Sequence, residues 1–257
     1  MTNPNRKPKK PNLLLPWLDV IAIAAWGILL LKYWLTGKLN LLIHPNYFGL
    51  VIASGISLLI VAFFRAQELW GRRRRRDIIP TAEHINLFPP GWGSALVLTA
   101  AILGLIFTPR VFASDKALQR DVTDLLGTAR IKPQAFRASI LPEQRSLVDW
   151  VRELNVYPEP DRYSGQKAKV QGFVIHPPNL QKDYFFLGKF VLTCCAADAY
   201  PVGLPVKLTP NSEQYTPDTW LEVEGQMVTE TLSGKRQLTI AANSIKKIPQ
   251  PKDPYSY

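Results

Sequence analysis

Long apolar stretches dominate the amino-terminal part of the chain, and short alternating ones dominate the carboxy-terminal part. A helix needs about 20 apolar residues to cross a hydrocarbon core. Three segments approach that length, and each is predicted to be a transmembrane helix. The first, about 13–35, is interrupted by Asp19 and Lys32; the second, about 47–64, has 18 residues without a charge. The third, about 90–108, includes 16 uncharged residues from Trp92 to Phe107, with Leu87 and Phe88 as a possible extension. A buried helix of a globular core rarely runs so far without a charge. Trp17, Tyr33, Trp34, Tyr47, Trp70 and Trp92 lie at the span ends, where amphipathic rings favour the headgroup layer. Lys32 is placed to snorkel to an interface. Asp19, about one turn into the first span, is expected to reach the interface too, although an intramembrane carboxylate is a functional candidate by default.

Basic residues in the short loops set an orientation. The leader holds Arg6, Lys7, Lys9 and Lys10, and the loop after the second span holds Arg72, Arg73, Arg74, Arg75 and Arg76. Only Lys38 lies between the first two spans. Both clusters favour the cytoplasm, and three spans satisfy both at once. The amino terminus is then inside, the 36–46 loop outside, the arginine run inside, and everything after Phe107 outside. The arginine run lacks interleaved aromatics. It therefore reads as a topogenic cluster that binds anionic lipid, at roughly 1 kcal/mol per basic residue. The leader lacks the pattern of a removable signal peptide, while Val111-Phe112-Ala113 resembles a small-residue cleavage site.

Residues 111–160 read as an amphipathic helical linker. Ser114 is a candidate cap, Leu118, Val122, Leu125 and Leu126 share a helical face, and Gly127 is a stop. A second segment, Glu143 to Asn155, puts Leu147, Val148, Val151 and Leu154 on one stripe, between Pro142 and the prolines at 158 and 160. From 161 to 250 the period becomes that of strands. Lys167–Ile175, Tyr184–Thr193, Val202–Leu208, Trp220–Val228 and Gln237–Ala241 with Ile245 make five, and a Ser233-Gly234 turn joins the last two. Pro205 points to an edge or a strand start, and Gly172 and Gly225, each in a Val-x-Gly string, mark bends or bulges. The fold class predicted is a membrane α-helical anchor (1–110) followed by an all-β domain, a small five-stranded OB-like barrel.

Composition narrows the function. At 47% hydrophobic residues with two cysteines among 257, the chain is neither disordered nor a disulfide scaffold. The net charge of +11 is concentrated before residue 114, which leaves +2 for the remainder. Nucleic-acid binding by the β domain is therefore not expected, because phosphate neutralisation needs concentrated Lys and Arg. No phosphate loop or zincin motif occurs, no nucleophile–base pair stands out, and no cofactor is indicated. An enzyme is not expected.

One local string carries chemistry: Leu192-Thr193-Cys194-Cys195-Ala196-Ala197-Asp198-Ala199-Tyr200. A regular strand sends adjacent side chains to opposite faces, but an immediate turn would let Cys194, Cys195 and Asp198 converge. Two thiolates and a carboxylate suit zinc or a trivalent metalloid, with a further ligand from His176 or another subunit. A labile redox pair and two buried small hydrophobes are the other readings. His176 and His44 are each lone histidines, which are more often structural, and Asp198 is also suited to bonding the turn.

These residues also carry a resemblance. Gly165-x-Lys167-x-x-Val170-x-Gly172-Phe173-Val174, then Phe190-x-Leu192-x-Cys194-Cys195-Ala196-Ala197-Asp198-Ala199, then Trp220-x-x-Val223-x-Gly225 resemble the YcgQ-like bacterial membrane proteins, subunits of a two-component permease. Lys189 stands where many relatives carry arginine. The resemblance implies an accessory partner for a polytopic permease similar to organoarsenical exporters, in a bacterial inner membrane. It also implies a metal, metalloid or thiol-reactive cargo handled at Cys194, Cys195 and Asp198. A thiol-redox or metal-sensing envelope protein without transport is the alternative.

Overall fold

The computed structural model describes residues 14–75, 89, 91–120, 141–178, 180–209 and 214–257. The chain divides into two units, Met1–Leu39 with Pro45–Pro109, and Asn40–His44 with Arg110–Tyr257. The leader cations Arg6, Lys7, Lys9 and Lys10, together with Arg76, Leu87, Phe88, Val122, Leu125, Leu126 and Gly127, lie outside the described residues. So do the side chains of Arg72, Arg73, Arg74 and Arg75.

In the first unit the apolar runs form α1 (Leu14–Leu35), α2 (Phe48–Arg75) and α3 (Trp92–Ile106). Among the described residues, two helical stretches, Leu14–Leu35 and Pro45–Gly71, are long and apolar enough to cross a membrane. The third expected span is represented by α3, whose 15 residues fall below the required length of about 20. Glycines allow α1 and α2 to approach closely. A Cβ on Gly27 would come within 2.9 Å of Leu59, and one on Gly55 within 3.2 Å of Leu31.

Polar side chains of α1 hold α3. Trp26 Nε1 donates to the Val97 carbonyl at 2.9 Å, and the Tyr33 hydroxyl donates to Phe107 at 3.3 Å. Lys32 Nζ donates to the Leu105 carbonyl at 2.8 Å. Its ammonium thus answers one of the carbonyls a helix end leaves without an intrahelical partner. Asp19 is not solvated alone, since the Ser94 hydroxyl in the first turn of α3 donates to it.

In the second unit the longer helix begins where capping chemistry dictates. Ser146 Oγ accepts the Asp149 N–H at 3.2 Å, and Asp149 Oδ2 accepts the Ser146 N–H at 3.1 Å. This capping box starts α5 (Leu147–Val156), and Pro142–Gln144 form a separate 3-10 turn rather than its first residues. The short α4 (Ser114–Gln119) has Ala113, not Ser114, at its cap.

Six strands follow: β1 (Lys167–Ile175), β2 (Tyr184–Val191), β3 (Tyr200–Lys207), β4 (Trp220–Leu232), β5 (Lys235–Lys247) and β6 (Tyr255–Ser256). Their order is β1-β4-β5-β3-β2-β6, and β1 also pairs with β2. The sixth strand lies beyond the five that alternation predicts. It is two residues long, too short to show a period, and runs parallel to β2 at Phe190 and Val191. Pro205 lies within β3 rather than at its start. It faces Phe186 of β2, while β5 pairs with β3 only at Val206 and Lys207, so the missing N–H leaves no ladder bond unmade.

Ser233 and Gly234, at φ 51° and 77°, turn β4 into β5 with the positive-φ pair favoured by two-residue hairpins. The β4–β5 register shifts between Glu224 and Gly225, and a Cβ at Gly225 would collide with the Ala241 carbonyl.

Two cores result. Trp150, Val151, Phe185, Leu187, Leu204, Val223, Leu238 and Ile240 belong to one, which joins α5 to the sheet. The other gathers Leu41, Phe173, Phe186, Phe190, Leu192, Trp220 and Tyr255. Leu41, 8% exposed, seats the strap Asn40–His44 in this second core.

Candidate metal centre

The candidate site occupies the connection from β2 to β3. Leu192 is 1% exposed and donates its N–H to Ser256 at 2.9 Å, so the strand end is rooted in the core. Beyond it the chain turns at once. Ala196–Asp198 form one 3-10 turn, which two alanines permit because nothing bulky obstructs it.

Asp198 organises this turn. Its carboxylate accepts the backbone N–H groups of Cys194 at 2.8 Å, Cys195 at 3.2 Å and Thr193 at 3.3 Å. From the other side comes the strap. Ile43 forms an antiparallel bridge with Cys195, Ala196 donates its N–H to the Leu42 carbonyl at 2.8 Å, and His44 donates its N–H to the Cys194 carbonyl at 3.0 Å. Main-chain groups on both flanks of the cysteines are thus occupied by protein partners, which leaves the side chains for chemistry.

Both cysteines are free thiols, Cys194 exposed and Cys195 partly buried, and their sulfurs are 3.6 Å apart. The two Sγ atoms and an Asp198 oxygen all lie within 4.8 Å of one another. Two thiolates bound tetrahedrally at about 2.3 Å from zinc stand about 3.8 Å apart, so the sulfur spacing fits a chelating pair.

The electrostatics follow from the same contacts. Hydrogen bonding to Asp198 and then to Cys195, with burial and the Asp198 charge added, pushes the Cys194 thiol up to about 12. Burial tends to raise Asp198. The bonds it accepts from the Cys194 thiol and from the backbone of Cys194, Cys195 and Thr193 outweigh that and hold it below its ordinary value. The carboxylate stays charged and acts as a proton trap for its neighbour. A cation that replaced that proton would meet ligands already in position.

Of the residues singled out from sequence, the fold brings Cys194, Cys195 and Asp198 together. His176 lies elsewhere, its Nε2 bonded to the Tyr215 carbonyl at 2.7 Å. Lys189 is half-buried in β2, and burial lowers its pKa, partly offset by the charge of Asp253. The strap Leu42–His44 is the part sequence reasoning missed. No spacing connects a loop between two apolar helices to a turn so much later in the chain.

Residues 132–257 match the DUF1980 C-terminal domain family. The matched stretch holds α5, the six strands of the described residues and the three candidate ligands, and it excludes the strap. No curated protein matches the chain.

Proposed function

We propose that the protein is a non-enzymatic, membrane-anchored accessory subunit of a polytopic permease, of the YcgQ-like kind. Its β unit presents Cys194, Cys195 and Asp198 to a thiophilic metal, metalloid or other thiol-reactive cargo on the outer side of a bacterial inner membrane. The observation that carries this reading is the convergence of two thiols and a carboxylate within 4.8 Å, on a turn whose backbone is held independently of any cargo.

Three spans remain the proposed anchor, with α3 as the short third one. Loop charges then put both the 36–46 loop and the chain after Phe107 outside. The bridge between Ile43 and Cys195 supports that arrangement, since two paired segments occupy one compartment. Arg72, Arg73, Arg74, Arg75 and Arg76 meet anionic lipid on the inner side. The neighbours of β1 on both sides, β4 and β2, support an OB-like barrel.

The test is a titration of the purified full-length protein with Zn²⁺ and with arsenite, beside co-purification from native membranes. The expected result is stoichiometric binding of at least one of them, lost in Cys194→Ser, and recovery with a polytopic membrane protein. A chain that binds neither and is recovered alone overturns the proposal.

A further inference from the structure

Two sulfurs and one carboxylate supply three ligands, and a closed tetrahedral zinc site takes four. The strap presents the missing donor. The Ile43–Cys195 bridge is flanked by the bonds His44 N–H to Cys194 carbonyl and Ala196 N–H to Leu42 carbonyl, which sets His44 directly opposite Cys194. Residues opposite one another in an antiparallel pair share a face, with Cβ atoms about 4.5–5.5 Å apart. The imidazole of His44 and the thiol of Cys194 therefore rise from the same side of this short pairing. In this structure the ring packs edge-on against Tyr257 at 5.1 Å between centroids, and the Tyr257 hydroxyl donates to the Asn40 carbonyl of the same strap at 3.2 Å.

We propose that His44 completes the site as its nitrogen ligand, turning from the edge of Tyr257 toward Cys194 to close a two-sulfur, one-nitrogen, one-oxygen shell around a borderline-soft divalent cation of the zinc type. This rests on the reading of Cys194, Cys195 and Asp198 as a cargo site, and it names the cargo class. On binding, two metal–sulfur bonds form, the two thiol protons leave to solvent, and the imidazole coordinates through a ring nitrogen lone pair as a neutral ligand. The three anionic ligands and one neutral one leave the occupied site at a net charge of −1, a balance suited to a divalent ion. Trivalent arsenic differs, because it bonds to the thiolates and has no need of an imidazole. The cation would also fasten the strap to the β2–β3 connection, so that occupancy is felt at the loop between α1 and α2.

The experiment uses the full-length protein in detergent, purified without a histidine tag and loaded with Zn²⁺, with X-ray absorption at the zinc edge and competition titrations. The expected result is imidazole outer-shell scattering in the wild-type protein that disappears in His44→Gln. Zn²⁺ affinity should fall at least about tenfold in that variant, with arsenite binding unchanged. Wild-type zinc without imidazole scattering overturns the proposal whatever the variant's folding, as does an H44Q protein with unaltered scattering and affinity. If Cys194→Ser binds Zn²⁺ as tightly as wild type, the cargo-site reading fails. If Cys194→Ser loses Zn²⁺ and His44→Gln does not, only the assignment of His44 falls.

Discussion

Asp198 accepts the backbone N–H of Cys194 through Oδ2 at 2.8 Å and holds a carboxylate oxygen within 4.8 Å of the sulfur of the same residue. One carboxylate thus shapes the turn and confronts the sulfur that the turn displays. Its two duties separate under mutation and pH.

Asp198→Ala removes an acceptor for three backbone N–H groups. It is expected to destabilise the second unit by about 1–2 kcal/mol, comparable to the loss of a good helix cap. Asp198→Asn keeps one acceptor oxygen and should cost less. Because the folded carboxyl lies below its ordinary value, its stabilisation is present above the unfolded pKa and is lost as pH falls through the folded one. Thermal melts of the full-length protein at pH 7 and at decreasing acidic pH check this. The wild-type protein should lose more stability on acidification than Asp198→Asn.

The Cys194 thiol, held up to about 12, keeps its proton throughout the neutral range, so metal must displace that proton. Zn²⁺ affinity is expected to rise with pH by at least about tenfold per unit between pH 6 and 8, with measurable proton release. Competition titrations in weakly buffered solution read both quantities. An affinity flat with pH would mean that this sulfur is not a ligand.

Cys194 and Cys195 are the two cysteines of the chain, which makes the site its own topology reporter. A membrane-impermeant maleimide is expected to label intact cells at the exposed Cys194, slowly because its raised pKa keeps its thiolate scarce, and faster as pH rises. Zn²⁺ should protect it. Labelling that requires permeabilised cells would place the β unit in the cytoplasm.

Gly225 stands at the register shift of the β4–β5 hairpin, where a Cβ would strike the Ala241 carbonyl. Gly225→Ala is expected to cost about 1–3 kcal/mol, the range for forcing extra volume into a packed site. Gly234→Asn, at a turn position of φ 77°, should be tolerated far better, since asparagine enters the left-handed region readily. Denaturation midpoints of the two variants decide between them.

Tyr163, 1% exposed, donates to the Glu153 carbonyl at 3.1 Å and the Tyr157 carbonyl at 2.9 Å, and so ties off the end of α5. Burial, with the nearby charge of Glu153, pushes its phenol up to about 12. Its contribution is therefore present below the unfolded pKa of about 10 and is lost as pH rises through the folded value. Tyr163→Phe should cost about 1 kcal/mol at pH 7 and lose less stability between pH 10 and 12 than the wild-type protein. Chemical denaturation followed across that range measures both effects.

Periodicity was enough for the elements that bury one face. The alternation Lys167–Ile175 is β1 residue for residue, and the uncharged runs are helices, because a strand or helix writes its burial into its own neighbours. The string Cys194-Cys195-Ala196-Ala197-Asp198 was legible as a candidate for the same reason, being contiguous. What depended on distant partners was not legible. The strand β6 is too short to carry a period, α5 starts where Ser146 and Asp149 bond each other, and Lys32 turns to a carbonyl of α3. The strap is the clearest case. Residues 40–44 read as a polar interruption between two apolar helices, and only folding lays them against Cys195. A backbone pairing between segments so far apart in sequence rests on main-chain groups that every residue possesses, so no side-chain pattern announces it. The sequence by itself determined which residues could hold a soft cation; the tertiary structure decided which of them meet, and which histidine stands opposite.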